Sequence, residues 1–528
     1  MLGCHDAQRN SKLFPDMTPE GTSPGGDGTG LAFEDADAGL DRLVHPRGWQ
    51  NPQPRGVYDL VVIGGGTAGL VSALGAAGLG ARVALVERQR LGGDCLNTGC
   101  VPSKAILRTA RAVGEIRRAP DLGIHVGPFE VDFGAVMHRM RQRRAQLAAN
   151  DSADRVTRLG IDLFFGTASF RSPRELALDQ TLLRFRRAVI ATGSRPAVPP
   201  IDGLDDTPHL TNETVFGLTE RPARLLTIGA GPIGCELSQA FARLGSQVVL
   251  FDQGPRILPA DDPDGSAVVQ RALVNDGVQL ELITEIRRVF RRGDGLVVRF
   301  RRSPDRPDEE IAGDRLLVAT GRTPDVSGLG LERAGIQAGA TGIVVDDRLR
   351  TSNRRVYAAG DVCSRFQFTH AADAMARIAI QNALFFGRRK ASALTIPWCT
   401  YTDPQVAHVG LSLDVARPRL ALGQTITVPL AEVDRGVLDD ETGGFLRVHH
   451  RRGRVVGCTI VSSQAGDLIG LAGNLIGRRA RVAELSTTIF PYPTQAEAYR
   501  KAGDAYRRTL LTPRLRRAFE RYFELARW

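Results

Sequence analysis

"YDLVVIGGGTAGLVSALGAAGLGARVALVER", residues 58–88, is the stretch on which the fold turns. An apolar run leads into three glycines at G-x-G-x-x-G spacing, Gly64, Gly66 and Gly69. An Ala/Leu/Gly stretch follows, then a second apolar run that ends in Glu87. The pattern reads as strand, tight turn, helix, strand. Gly64 allows the sharp turn, Gly66 lets the backbone approach a pyrophosphate, and Gly69 lets helix and strand pack closely. The helix N-terminus offers free N–H groups and a positive dipole end to phosphates, and Glu87 is expected to take up ribose hydroxyls.

A second segment, "ARLLTIGAGPIGCELSQAFARLGSQVVLFDQ" (223–253), repeats the design with Gly229, Gly231, Gly234 and Asp252. From first glycine to acid both copies span 23 positions, Gly64 to Glu87 and Gly229 to Asp252. One such fingerprint is weak, but a matched pair in the same local context is strong. The expected class is α/β, with two Rossmann-like dinucleotide-binding domains.

At 528 residues, a prior of about 150 per domain gives three or four domains. Hydrophobic content of 42% and charged content of 24% are ordinary for a globular chain. The net charge of +11 could suit a nucleic acid. The excess is almost all arginine, however, with only Lys12, Lys104, Lys390 and Lys501 as lysines, and no nucleic-acid motif accompanies it. No nucleic-acid partner is expected. Seven scattered cysteines do not make a secreted disulfide framework. With no apolar leader and no long apolar run, the expectation is a cytoplasmic protein without a transmembrane segment. Residues 1–57 read as a disordered or linker extension, with one short helix over 31–43 and a Pro-rich link over 45–56. Ordered structure is expected from Tyr58.

"LGGDCLNTGCVPSK" (91–104) sets Cys95 and Cys100 five apart. A zinc site needs further Cys or His ligands at comparable spacing, and none lie nearby. A structural disulfide here would close a very small loop. A third reading is a pair that opens and closes as part of a reaction, and this stretch by itself leaves the structural disulfide possible. Beside two dinucleotide sites the third reading suggests an electron relay, for which nicotinamide and flavin are suited.

The ordered motifs "GGGTAG" (64–69), "GGDCLNTGCVPSK" (92–104), "ATGSRP" (191–196), "GAGPIGCE" (229–236), "ATGRTP" (319–324) and "YAAGDV" (357–362) resemble those of the flavoprotein disulfide reductases. That group includes lipoamide dehydrogenase, glutathione reductase and mercuric ion reductase. The resemblance covers residues 58–505. It implies FAD on the first fold and NADH or NADPH on the second. It also implies a split FAD domain (58–200 and 322–388) around an NAD(P) domain (201–321). An α+β interface domain (390–510) and a C-terminal helix (511–528) complete the chain, and a homodimer is implied. Thr192, Gly193 and Gly321 match positions near the nucleotides. Asp361 matches the residue on the FAD ribityl chain, and "FQFTHA" (366–371), with His370, would open a helix beneath the flavin. Cys100 matches the sulfur nearer the flavin and Cys95 the interchange thiol. Lys104 matches the family lysine at the flavin edge, with Glu236 as its ion-pair partner. Cys235, Cys363, Cys399 and Cys458 read as packed residues.

The branch is decided by "TIFPYPTQAE" (488–497). Members that reduce disulfides carry a histidine where this chain has Tyr492, followed by a glutamate matching Glu497. A histidine near pKa ~6.5 is a usable base at neutral pH and a tyrosine near ~10 is not. Tyr492 therefore points away from lipoamide and towards the mercuric-reductase branch, which "IPWCTYTDPQVAHVGL" (396–411) also resembles. A soft metal ion held by thiolates, here Cys95 and Cys100, needs no protonation of a leaving thiol. Mercuric reductases end in a cysteine pair, whereas no cysteine follows Cys458, and residues 1–57 hold only Cys4. The acceptor thus stays open between a metal ion and a small molecule.

Asp252 should repel a 2′-phosphate, which favours NADH, although the nearby Arg256 blurs the choice. The expected function is an FAD-dependent NAD(P)H oxidoreductase that passes electrons through a redox-active Cys95–Cys100 pair to Hg(II) or another soft metal ion. The alternatives are a dihydrolipoamide dehydrogenase-like disulfide reductase and a flavin/thiol redox sensor without turnover. The segment 137–160 reads as a surface helix. The tail over 507–528 reads as a helix packed on the interface domain, with a membrane surface as the other option.

Overall fold

The computed structural model describes residues 33–385, 387–412 and 424–527. The expectation for residues 1–30, and Cys4 with it, lies outside the described residues.

The quoted segment forms β1 (Val57–Ile63), α2 (Thr67–Gly78) and β2 (Val83–Glu87), preceded by α1 (Phe33–Val44). β1 is nearly continuous in apolar residues because parallel neighbours and helices bury both of its faces. It pairs in parallel with β2 and with β6 (Thr181–Ile190). With β3 (Asp162–Phe165), β4 (Ala168–Ser172) and β5 (Glu175–Leu178) the order is β3-β2-β1-β6-β5-β4. The seventh strand, Val356–Ala358, arrives much later in the chain and pairs with β6.

Between those visits the chain builds a second parallel sheet. Its strands lie in the order Val278–Glu281, Gln247–Phe251, Arg224–Ile228 and Arg315–Val318. An antiparallel meander spans residues 285–313. The outgoing strand Ser194–Pro196 and the returning strand Arg322–Pro324 pair antiparallel, tying the two sheets together. A five-stranded antiparallel sheet follows within residues 397–462. It is anchored to the second fold by Arg447, whose Nη1 donates to the buried Asp262 at 2.7 Å.

The matched glycines show why the two turns are alike. Gly64 and Gly229 both sit at φ +104, and a Cβ there would lie 2.4 and 2.5 Å from the carbonyl oxygens of Ala191 and Ala319. Only glycine adopts that turn at that approach.

The short helix expected over 31–43 is found as α1, but it and the residues up to 57 are not an extension or linker before an ordered start at Tyr58. Leu40 and Val44 of α1 are fully buried in the same core as Leu60, Leu85 and Leu91. Asn51 donates to the Phe165 carbonyl and accepts from the Phe165 N–H, both at 2.8 Å. Its side chain thereby satisfies the open edge of β3, which would otherwise present bare backbone groups.

The helix α5 (Phe133–Ala148) corrects another, because it is not simply a surface helix. Arg141 and Arg144 are buried, and Asp37 of α1 pairs with both, at 3.4 and 2.5 Å. A buried guanidinium needs such a partner, and the sequence near α5 does not reveal one 107 positions away. The C-terminal tail is helical over Pro513–Ala526, but none of its residues is buried in the chain, so it does not pack on the interface domain as expected.

Candidate active site

Cys95 lies in the short helix α3 (Gly93–Asn97), and Cys100 is the first residue of α4 (Cys100–Arg118). Thr98 and Gly99 break the path between them, so α4 starts afresh and turns its N-terminal dipole onto Cys100. The two thiols are not bridged. The Thr369 hydroxyl, at the start of the helix Thr369–Leu384, lies 3.5 Å from the Cys100 sulfur.

The surroundings polarise the pair. Cys100 is lowered to about 6, first by the hydrogen bond from the Cys95 thiol, then by Thr369 and the Lys104 charge, against the opposing effect of burial. Cys95 moves the other way, because it donates to Cys100 and is desolvated. The two shifts oppose each other, Cys100 towards thiolate and Cys95 towards thiol, and a lowered thiol is the more reactive one at neutral pH.

Lys104 sits one helical turn beyond Cys100, and its Nζ donates to Glu236 at 2.8 Å. Burial works to lower Lys104, but Glu236 outweighs it and holds the ammonium above its usual value. Glu236 lies on the helix Pro232–Arg243 of the second fold, and its other oxygen accepts from the Tyr401 N–H at 2.8 Å. The Tyr401 ring centroid lies 4.6 Å from Lys104 Nζ, so the cation is held by a carboxylate and an aromatic face together. The expected Lys104–Glu236 pair is thus formed by the first and second folds jointly.

The two acids at the strand ends are held alike. Glu87 accepts from the N–H groups of Gly65 and Gln89, both at 2.6 Å. Asp252 accepts from Ala230 and Gly254, both at 2.7 Å. Each carboxylate is thereby fixed beside its glycine turn. Above those turns the backbone is open. A Cβ on Gly66 would meet only the Gly93 Cα, at 3.5 Å, and on Gly231, Gly193 or Gly321 it would meet nothing within 4 Å. Uncrowded N–H groups at a helix start suit a pyrophosphate, so the residues present fit the dinucleotides that the fingerprints imply.

Asp361 accepts from Ser194 at 2.7 Å and lies 3.8 Å from Arg322 Nε, with burial pushing its carboxyl up. Thr192 donates to the Asp325 carbonyl at 2.6 Å. His370 Nε2 lies 2.5 Å from the Pro397 carbonyl oxygen, and its ring stacks on Phe368.

Tyr492 and Glu497 are not brought together. The Tyr492 hydroxyl is exposed and donates to Asp434 at 2.9 Å, which raises its pKa. Glu497 is buried and pairs with Arg500 at 2.9 Å. The hydrogen-bond partner of the Tyr492 hydroxyl is thus Asp434, from a separate helix, while Glu497 acts on it only through its charge. Sequence reading also missed Thr369 and Tyr401 as site residues, although both lie in stretches it singled out. It missed the contact between Arg322 and Asp94, the residue before Cys95. Among the described residues, no group of three or more His, Cys, Asp or Glu is placed to hold a metal ion.

Comparison with known proteins agrees with this geometry. The family model for pyridine nucleotide-disulphide oxidoreductases matches residues 58–376, and the model for their dimerisation domain matches residues 396–503. A mercuric reductase from Lysinibacillus sphaericus is 35% identical over 449 residues, covering 84% of this chain and 82% of its own. A dihydrolipoyl dehydrogenase from Thermus scotoductus is 34% identical over 462 residues, covering 85% and 97%. Among solved structures, the Cu(II) complex of the HOCl-induced flavoprotein disulfide reductase RclA from Escherichia coli superposes with a TM-score of 0.75 at 27% identity, covering 84% and 98%. Two fingerprint turns, a polarised cysteine pair and these matches together place the chain: it belongs to the pyridine nucleotide-disulphide oxidoreductases, FAD-dependent enzymes, and is mercuric reductase-like within them.

Proposed function

We propose that this protein uses NADH, in preference to NADPH, to reduce a soft metal ion held by Cys95 and Cys100, with Hg(II) as the first candidate. It works as a cytoplasmic homodimer in which Tyr492 of one chain faces the cysteine pair of the other, with Glu497 buried behind it. The observation that carries this reading is the geometry around the pair: two unbridged thiols, the Thr369 hydroxyl 3.5 Å from the Cys100 sulfur, and the Lys104–Glu236 ion pair one helical turn on. Thiolate sulfur selects soft cations over hard ones.

FAD and the nicotinamide supply the electron pair when bound. This chain's residues do the rest. Cys100 is shifted towards thiolate, and Cys95 passes its proton to a thiolate given up by the incoming metal–thiol complex, so both sulfurs become ligands as the two original ones leave. Lys104, fixed by Glu236 and Tyr401, holds positive charge beside the pair and keeps Cys100 ionised. The absence of a histidine at position 492 suits a substrate whose departing thiolate takes its proton from Cys95.

NADH is supported by Asp252, whose carboxylate is fixed by two backbone N–H groups at the end of its strand. Arg256, which could offset it, donates to the carbonyls of Pro259 and Asp261. Among the described residues, no helix is long and apolar enough to cross a membrane.

The test is an acceptor screen on the FAD-loaded enzyme with Hg(II)–thiol complexes, Cu(II), lipoamide and small disulfides. NADH-driven reduction of the metal complexes, lost in Cys100→Ser, is expected. Lipoamide turnover at comparable rates would overturn the metal reading. It would favour the second one, a dihydrolipoamide dehydrogenase-like reductase, which the Thermus relative supports. NADH oxidation with no acceptor turning over would favour a thiol redox sensor.

A further inference from the structure

The helix Pro513–Ala526 projects Leu515, Phe519, Tyr522 and Phe523 into solvent, and all four are at least 42% exposed. These positions recur at helical spacing, so they share one broad face. The helix starts with a Thr512 cap on the Leu515 N–H and carries four arginines against two glutamates. At 14 residues it is near the length, about 12–15, at which an isolated helix is marginal in water. It needs a surface to pack against.

A surface of matching chemistry exists on the same domain. The short helix Asp434–Leu438 leaves Val437 and Leu438 exposed, at 51% and 66%. Tyr492 lies beside it through its bond to Asp434 and, in the homodimer read above, is already a partner contact, so Val437 and Leu438 are the apolar residues left open there. Around these apolar residues, the segment 432–441 carries five acids against the single Arg435. Basic and apolar on one side thus faces acidic and apolar on the other.

In this structure the terminal helix does not meet that surface, since none of its residues is buried in the chain. The preceding helix Glu497–Leu510 starts near Asp434, whose charge reaches Arg500 in its first turn. Its 14 residues carry the backbone about 21 Å away. Only Leu511 and Thr512 separate it from the terminal helix, which stays clear of the domain. A second copy can supply the contact. The dimerisation match ends at residue 503, inside Glu497–Leu510, so the terminal helix continues directly from that domain.

We propose that the terminal helix docks across the dimer, its Leu515/Phe519/Tyr522/Phe523 face against Val437, Leu438 and the acidic segment of the second copy. The inference rests on the homodimer reading above. Two-fold symmetry then makes the contact reciprocal, each chain giving one helix and receiving one.

Sedimentation equilibrium of the FAD-loaded full chain, of a chain ending at Leu511, and of Phe519→Ser/Phe523→Ser tests it. Loss of two aromatic anchors should raise the dimer dissociation constant by about tenfold or more. Reversing the acidic side with Glu432→Lys/Asp440→Lys should do the same, while added salt should weaken the full-length dimer. If the full chain itself stays monomeric, the homodimer reading fails. If it dimerises and none of the variants weakens it, the docking proposal is overturned. Co-sedimentation of the full chain with phosphatidylglycerol vesicles, at unchanged dimer affinity in the variants, would give the face to a lipid surface and equally overturn it.

Discussion

Lys104 and Glu236 lie 132 positions apart, on α4 of the first parallel-sheet unit and on the fingerprint helix of the second, and they close a 2.8 Å ion pair one turn beyond Cys100. The pair ties the unit that carries the cysteines to the unit that carries the second fingerprint. It also fixes a cation next to a sulfur that must be ionised to act.

Cys100 alkylation should therefore follow a thiolate with a pKa of about 6. Because the folded value is depressed, the thiolate dominates at neutral pH and is lost as pH falls through about 6. The Cys95→Ala variant removes the largest cause of the depression, and Lys104→Met a smaller one. Both should move the profile to higher pH, with about tenfold slower alkylation at neutral pH for each unit moved. A profile that stays put in Cys95→Ala would show that the Cys95 thiol does not set the Cys100 charge.

Nucleotide preference should shift when the anchored acid is removed. Asp252→Ser takes away a carboxylate that would face a 2′-phosphate. The ratio of kcat/KM for NADPH over NADH is expected to rise by about tenfold or more, since repulsion and a ribose hydrogen bond are lost together. Steady-state rates with each nucleotide check this, and an unchanged ratio would place the selectivity elsewhere.

Disulfide chemistry should be partly recoverable at one position. Tyr492→His installs a base near pKa ~6.5 in place of a phenol, which Asp434 pushes further upward. Lipoamide reduction is expected to rise by about tenfold or more, within the usual range of general acid–base effects. The rise should titrate with the new histidine. Reduction of metal–thiol complexes should not rise with it.

The α1 helix should behave as core and not as an extension. Leu40→Ala is expected to cost about 2–5 kcal/mol, the range for large-to-small changes at buried sites. Asp37→Asn leaves Arg144 buried without its carboxylate, at a cost of about 1–3 kcal/mol. Both should lower the thermal midpoint for flavin release, since α1 shares its core with β1 and β2. A midpoint unmoved by Leu40→Ala would return residues 33–57 to the status of a linker.

The sequence was legible wherever neighbouring residues do the physical work. The turn at Gly64, the acid at Glu87 and the same pair at Gly229 and Asp252 are set within about two dozen positions, and local backbone sterics dictate them. The cysteine pair and Lys104 lie on ten consecutive positions, so their proximity was readable too. Tyr492 stood out because its type changes the available proton chemistry.

What the sequence could not carry were contacts between distant segments, where no local period marks the partner. Asp37 meeting Arg141 and Arg144, Asn51 closing the edge of β3, and Asp434 taking the Tyr492 hydroxyl all depend on packing that brings remote surfaces together. The amino-acid order alone thus determined two dinucleotide folds and the placing of two cysteines and a lysine on one short stretch, because steric and electrostatic rules act there over a few residues. The tertiary structure alone decided which sulfur carries the charge, what holds Tyr492, and that the terminal helix is left bare, because burial and charge pairing depend on neighbours in space.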